Sequence, residues 1–314
     1  MRSAAAVTAG HYENFPVASI LLPSSMRQHI AAVYAFARTA DDFADEGQLT
    51  PVERLRLLDG WHRRLRHAAA GAASGDPPVA GEPPGVVDLF LALGRSIREK
   101  ALPVELFEQL LSAFRQDVEV TRYSTWPQLL AYCERSANPV GRLVLRIADQ
   151  RDARLDEWSD SICTALQLTN FWQDLKIDCD RGRIYVPSEI TNAHGASERD
   201  LFEGRITSAW QAALRDVVAR TCELFRRGRP LCQAVGGRLG YELRATWLGG
   251  MRILDRLEAN RFDVIGNRPV LRPIDAPWFL RRMMTWSRDS RDSGGGDGLE
   301  RRSLSRPPAD VFRR

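Results

Sequence analysis

Apolar positions recur at three- and four-residue intervals along almost the whole chain. "MRQHIAAVYAFARTADDFAD" (26–45) sets Ile30, Val33, Ala37, Ala40 and Ala44 on one stripe, the pattern of a helix with one buried face. "PVERLRLLDGWHRRLRHAAA" (51–70) repeats Leu and Trp at the same spacing. "AALRDVVARTCELFRRG" (212–228) carries Leu214, Val217, Val218, Thr221, Leu224 and Phe225, and Gly228 and Pro230 are predicted to end it. In "PVGRLVLRIA" Pro139 opens a helix, with Asn138 the predicted cap. Strand-like alternation is confined mainly to "RIYVP" (183–187), too short to found a sheet. The pattern predicts an all-α fold of many helices without internal repeats.

Two segments break the periodicity. "GAASGDPPVAGEPPG" (71–85) is a Gly/Pro-rich loop, and the helical pattern resumes directly after it. From residue 287 the chain is polar and rich in Gly, Ser and Arg. Residues 1–286 are therefore expected to form one all-α domain, and 287–314 a disordered basic tail.

Charge and cysteine content narrow the function. A net charge of +4 over 314 residues does not call for nucleic acid as a partner. Lys100 and Lys176 are the only lysines, so almost all positive charge is arginine. The five cysteines (133, 163, 179, 222, 232) show no CxxC spacing, which argues against a zinc site or disulfide framework. The N-terminal "MRSAAAVTAGHYENFP" lacks an apolar stretch suited to export, and no apolar run approaches the ~20 residues that span a bilayer. A cytoplasmic protein is expected, at most peripheral to the inner membrane.

Two polar stripes interrupt apolar helices. Successive helical residues turn by about 100°, so Tyr34, Arg38, Asp41 and Asp45 fall within about 60° of one another, while Asp42 and Glu46 are predicted to point elsewhere. In "CTALQLTNFWQDLKIDCDRGRIYVP", Gln167, Asn170, Asp174 and Asp178 fall within about 80°. Carboxylates four apart repel, and burying them unpaired costs more. A bound Mg²⁺ would relieve both, since it takes carboxylate oxygen and bridges to substrate phosphate. Two DxxxD stripes thus suggest a clamp for a metal diphosphate. A solvated helix face or an ion-pair network with the arginines would give the same spacing.

"YAFARTADDFAD" and "QLTNFWQDLKIDCDRGRIYVP" resemble the two aspartate-rich motifs of the squalene/phytoene synthase family. "YCERSANPVG" (132–141) and "RIYVP" extend the likeness, which runs from about His11 to about Arg282. Within the family, "HYENFPVAS" (11–19) and "RSANPVGRLVL" (135–145) are most similar to the hydroxysqualene synthase branch, which converts presqualene diphosphate to hydroxysqualene for bacterial hopanoids. The resemblance implies an isoprenoid synthase-like helical bundle with a central cavity.

It also implies roles. Asp41, Asp45, Asn170, Asp174 and Asp178 would hold Mg²⁺, and the four aspartates would act in catalysis together with Tyr132. Arg38, Tyr34, Gln167, Asn170, Phe15, Arg183 and Tyr185 would contact the prenyl diphosphate. Phe15, Tyr132, Phe171 and Trp172 offer ring faces to a carbocation or, read plainly, are core aromatics. Gly141 would let two helices approach closely. No NADPH is expected, because the region associated with NADPH in eukaryotic-type squalene synthases has no recognisable counterpart in this sequence, and no GxGxxG unit offers a nucleotide site either. Transient membrane contact and neighbouring squalene-pathway enzymes are the expected partners besides substrate. Two alternatives stand beside this reading: a transferase condensing two prenyl diphosphates head to head, toward presqualene diphosphate or phytoene, and a non-catalytic helical assembly factor on the same fold, which would be expected to lose the metal ligands that both DxxxD motifs retain here.

Overall fold

Trp61 sits at the centre of the first half of the structure, a computed structural model that describes residues 22–72 and 77–286. Four helices meet around it: α1 (Ser24–Asp45), α2 (Pro51–Ala69), α3 (Val86–Lys100) and α4 (Val104–Asp117). The indole is fully buried, 4.6 Å from the Phe90 ring and 5.2 Å from Phe43, and Phe36 stacks on it at 6.0 Å. Its Nε1 donates to the Phe36 carbonyl at 3.2 Å, so its one polar group is satisfied. Aromatic pairs of this kind are worth about 1 kcal/mol each beyond their buried area. They fix α1, leaving its other face to line a cavity.

The remaining helices are α5 (Trp126–Ser136), α6 (Asn138–Ile147), α7 (Ala153–Gln173), α8 (Leu175–Asp180), α9 (Ser188–His194), α10 (Glu198–Phe202), α11 (Ser208–Gly228), α12 (Leu231–Ala234) and α13 (Gly237–Ala259). Among the described residues the β content is one isolated parallel bridge, Arg122 to Ile184, which involves the short "RIYVP" run. The all-α expectation holds.

Close helix approaches depend on glycine. A Cβ on Gly141 of α6 would strike Ser159 Oγ and come within 2.5 Å of Cys163 Sγ on α7. A Cβ on Gly228, at the end of α11, would lie 2.7 Å from the Trp158 carbonyl. Trp172 joins α7 to α11 by donating to Thr221 Oγ1 at 2.9 Å, and it is wholly buried.

Two local expectations need correction. Asn138 does not cap α6; it is the first helical residue, and its Oδ1 accepts from Thr164 Oγ1 at 2.9 Å. A buried acceptor opposite a buried hydroxyl was the stronger demand. The second acid stripe does not ride on one helix either. Asp174, at φ −103° and ψ 11°, closes α7 and opens α8. The ladder is still carried across the break, because Asp174 N–H donates to Asn170 and Asp178 N–H to Asp174, both at 2.8 Å.

By its contacts the chain divides at Leu271/Arg272. The second unit holds a 3-10 turn, Pro273–Asp275, and α14 (Ala276–Thr285), none of whose residues is buried. Residues 287–314, the expected tail, lie outside the described residues, as do Phe15 and the His11 segment.

Candidate active site

Both acid stripes reach one cavity of about 510 Å³ in the first unit. Tyr34, Arg38, Asp41 and Asp45 line it from α1; Gln167, Asn170, Phe171, Asp174 and Asp178 line it from α7 and α8. Tyr132, Arg183 and Tyr185 close it from α5 and the segment after α8. Every described residue assigned to the site from sequence therefore faces one space. The rest of the lining includes the apolar residues Ile30, Val33, Phe114, Val144 and Ile147. Ala37 of the predicted core stripe is a cavity wall too, and only half-buried. Trp172 is not among the lining residues, so it is a core aromatic.

On α1 the carboxylates meet arginine. Arg38 reaches Asp41 at 3.3 Å, Asp42 at 2.8 Å and Glu46 at 3.0 Å. Glu46 is thus tied to the site, against the helix-wheel expectation, whereas Asp42 pairs with Arg38 but is not among the cavity-lining residues, as the wheel predicts. Glu46 lies past the end of α1 in extended backbone, where the wheel no longer applies, and it lines the cavity. Asp41 keeps 36% of its side chain open, but that surface faces the cavity. Burial, followed by repulsion from Asp45, pushes its pKa up to about 8 against the pull of Arg38.

Arg183 bridges the stripes. Its Nη2 lies 2.7 Å from Asp45 Oδ1 and donates to the Asp117 carbonyl at 2.9 Å. Burial works against the Arg183 charge, but contact with Asp45 overrides it and moves the pKa up. Arg183 N–H also donates to the Asp178 carbonyl at 2.8 Å, holding the loop to α8. Asp178 is raised to about 7, by burial and then by Asp174. Asp174 is held by both nitrogens of the Arg268 fork, with Nη2 to Oδ2 at 3.0 Å.

Aromatic rings form the wall beside these charges. Tyr185 and Phe171 stack at 3.6 Å, nearly parallel, and Tyr132 lies 6.2 Å from Phe171. The Tyr132 hydroxyl donates to Asp117 Oδ2 at 2.8 Å. Burial raises Tyr132 and Tyr185 well above the ordinary phenol range, so both stay neutral.

Sequence reading missed Asp117 and Arg268. Asp117 continues the apolar face of α4 three residues after Phe114 and seven after Leu110, so a carboxylate at a core position was the available signal. Arg268 gave no signal, since it lies in a loop 94 residues from its partner. Two histidines have structural partners: His29 bonds Ser96 at 2.9 Å, and His62 bonds Glu108 at 2.9 Å. Lys176 pairs with Asp180.

The donors fit magnesium. Asp45 Oδ1 is buried without a well-directed hydrogen bond even though Arg183 lies close. Asp41 and Asp178 are each crowded by a second carboxylate. No group of three acids, histidines or cysteines among the described residues is gathered tightly enough to bind a metal alone. Mg²⁺ does not require one, because it keeps several waters and completes its shell with phosphate.

The family model described as squalene/phytoene synthase matches residues 8–277. A hydroxysqualene synthase from Rhodopseudomonas palustris is 33% identical over 84% of this chain and 85% of its own length. One from Zymomonas mobilis is 35% identical over 74% of this chain and 75% of its own. The crystal structure of squalene synthase HpnC from Alicyclobacillus acidocaldarius superimposes with a TM-score of 0.73 at 37% identity, covering 83% of this chain and 93% of that one.

Proposed function

The chain belongs to the squalene/phytoene synthase family, whose members act on prenyl diphosphates, and we propose that it converts presqualene diphosphate to hydroxysqualene and diphosphate. This makes it a carbon–oxygen lyase serving squalene and hopanoid synthesis. The observation that carries the reading is the meeting of two carboxylate pairs across one cavity that aromatic and aliphatic side chains also line.

Asp41 and Asp45 on one side, and Asp174 and Asp178 with Asn170 on the other, would hold Mg²⁺ at the diphosphate. Bound there, the metal supplies Lewis-acid neutralisation of the leaving group. Arg38, Arg183 and Arg268 now balance the carboxylates; with the metal in place their forks can donate to phosphate oxygens. Tyr34 and Gln167 stand on the same stripes and orient the head group. Ionisation leaves a cyclopropylcarbinyl cation beside the faces of Phe171, Tyr185 and Tyr132, which stabilise positive charge. The apolar walls exclude all but a positioned water, which captures the rearranged cation. No hydride donor enters the reaction, so added NADPH should leave the product unchanged.

Incubation with Mg²⁺ and either presqualene diphosphate or farnesyl diphosphate tests this directly. Presqualene diphosphate should give hydroxysqualene, and chelation should stop it. Turnover of farnesyl diphosphate with presqualene diphosphate inert would instead identify a condensing transferase.

No described helix is long and apolar enough to cross a membrane. Transient contact is proposed through residues 272–286, where Ile274, Leu280 and Met284 are 79%, 64% and 78% exposed beside Arg281. Leu280→Ser with Met284→Ser should reduce co-sedimentation with anionic liposomes.

A further inference from the structure

Asp117 closes α4 with only 5% of its surface exposed. Its two carboxylate oxygens differ. Oδ2 accepts from the Tyr132 hydroxyl at 2.8 Å, whereas Oδ1 is buried and has no hydrogen-bond partner. Asp117 also lines the cavity, together with Tyr132, Phe114 and Ser136. A buried carboxylate oxygen calls for a donor. The two neighbouring guanidinium groups are committed elsewhere: Arg183 reaches the main-chain carbonyl of Asp117, and Arg135 is held by Ser112 and Gln116. Asp117 lines the cavity, so an O–H of a water bound there can supply the donor.

The position suits the late step of the reaction. Through Arg183, Asp117 is one guanidinium away from Asp45 and the diphosphate end, yet it borders the aromatic wall where the cation would lie. Resting on the presqualene diphosphate reading above, we propose that Asp117 accepts the proton from the water that captures the cation, and that Tyr132 positions its carboxylate. The water oxygen gives a lone pair to the cationic carbon, forming the C–O bond. One O–H bond breaks, its electron pair staying on oxygen, and the proton passes to Asp117 Oδ1. Asp117 becomes neutral and returns the proton to solvent when product leaves. Burial already raises this carboxyl to about 7, against the hydrogen bond from Tyr132, so it can hold a proton for one turnover. Asp45, Arg183, Arg135 and Asp41 are among the charged groups around it. The competing acceptor is the released diphosphate.

Full-length protein, Mg²⁺ and presqualene diphosphate in 18O-labelled water separate the two. The readouts are diphosphate release and the share of product that is labelled alcohol. In Asp117→Asn, diphosphate release should stay within about tenfold of wild type, while the alcohol share falls by more than about tenfold in favour of elimination hydrocarbons. Asp117→Glu should recover part of that share. A wild-type alcohol share in Asp117→Asn overturns the proposal, as does a folded Asn variant that releases no diphosphate. Should the Asn variant fail to fold, Tyr132→Phe decides: its alcohol share should drop, and an unchanged share overturns the assignment. If wild type itself makes no alcohol from presqualene diphosphate, the reaction and the proposal fall together; equal shares in wild type and Asp117→Asn remove only the proposal.

Discussion

Asp41 and Asp45 ride on one uninterrupted helix, whereas Asp174 and Asp178 straddle the break between α7 and α8. The first pair is balanced by Arg38, from its own helix, and by Arg183, whose side chain is 13% exposed. The second is balanced by Arg268, a loop residue 41% exposed. The same spacing thus produces a fixed jaw and an adjustable one. Exchanging Arg268 for a metal and phosphate requires a rim side chain to move, while the fixed jaw must keep its buried cation or replace its charge at once.

The largest expected effect tests whether both jaws are needed. Asp41→Asn and Asp174→Asn should each lower kcat by about 1,000-fold or more, corresponding to about 4 kcal/mol of lost transition-state stabilisation. Steady-state turnover of presqualene diphosphate measures this, with circular dichroism confirming wild-type helix content. Loss in only one variant would break the clamp into a working jaw and a structural one.

Next comes Arg183→Ala. It would leave Asp45 facing Asp41 with its nearby cation gone, and removing one partner of a buried pair costs about 3 kcal/mol. Denaturant unfolding of metal-free protein should show that loss, and added Mg²⁺ with inorganic diphosphate should restore part of it.

Local spacing explains what the sequence disclosed. Asp41 and Asp45, and Asp174 and Asp178, are four residues apart, so their shared face follows from helix geometry alone. The all-α class followed from the same periodicity. Arg268 meets Asp174 across 94 residues, and no helical period reports such a contact. The Trp61 cluster gathers Phe36 and Phe43 from α1 and Phe90 from α3, and only their packing reveals which aromatics are core. Glu46 was misread because a helix wheel assumes a helix that has already ended at Asp45. Asp117 was legible in principle: an acid on the apolar face of α4 marks either an error in register or a buried site.

Arg268→Ala sharpens the contrast with Arg183. The Arg268–Asp174 pair lies at the rim, where exposed ion pairs contribute about 0–1 kcal/mol. Stability should therefore change by less than about 1 kcal/mol. KM for presqualene diphosphate should rise severalfold if the fork contacts phosphate, with kcat changed less. A stability loss as large as that of Arg183→Ala would show that the second jaw is as rigid as the first.

The smallest effect concerns what holds the Arg268 loop. Gln173, the last residue of α7, donates through Nε2 to the Pro269 carbonyl at 2.6 Å, next to Arg268 in sequence. The bond links the end of α7, immediately before the break, to the loop that brings the arginine. Gln173→Ala removes one part-buried hydrogen bond, worth about 1 kcal/mol net. Its effect on KM should be in the direction of Arg268→Ala but weaker, because the loop loosens while the guanidinium remains. In the double variant the two changes should add to less than their sum, since both act on the placement of one side chain against Asp174. Full additivity in KM would mean that Gln173 stabilises the break without positioning Arg268, and the second jaw would then owe its adjustability to Asp174 alone.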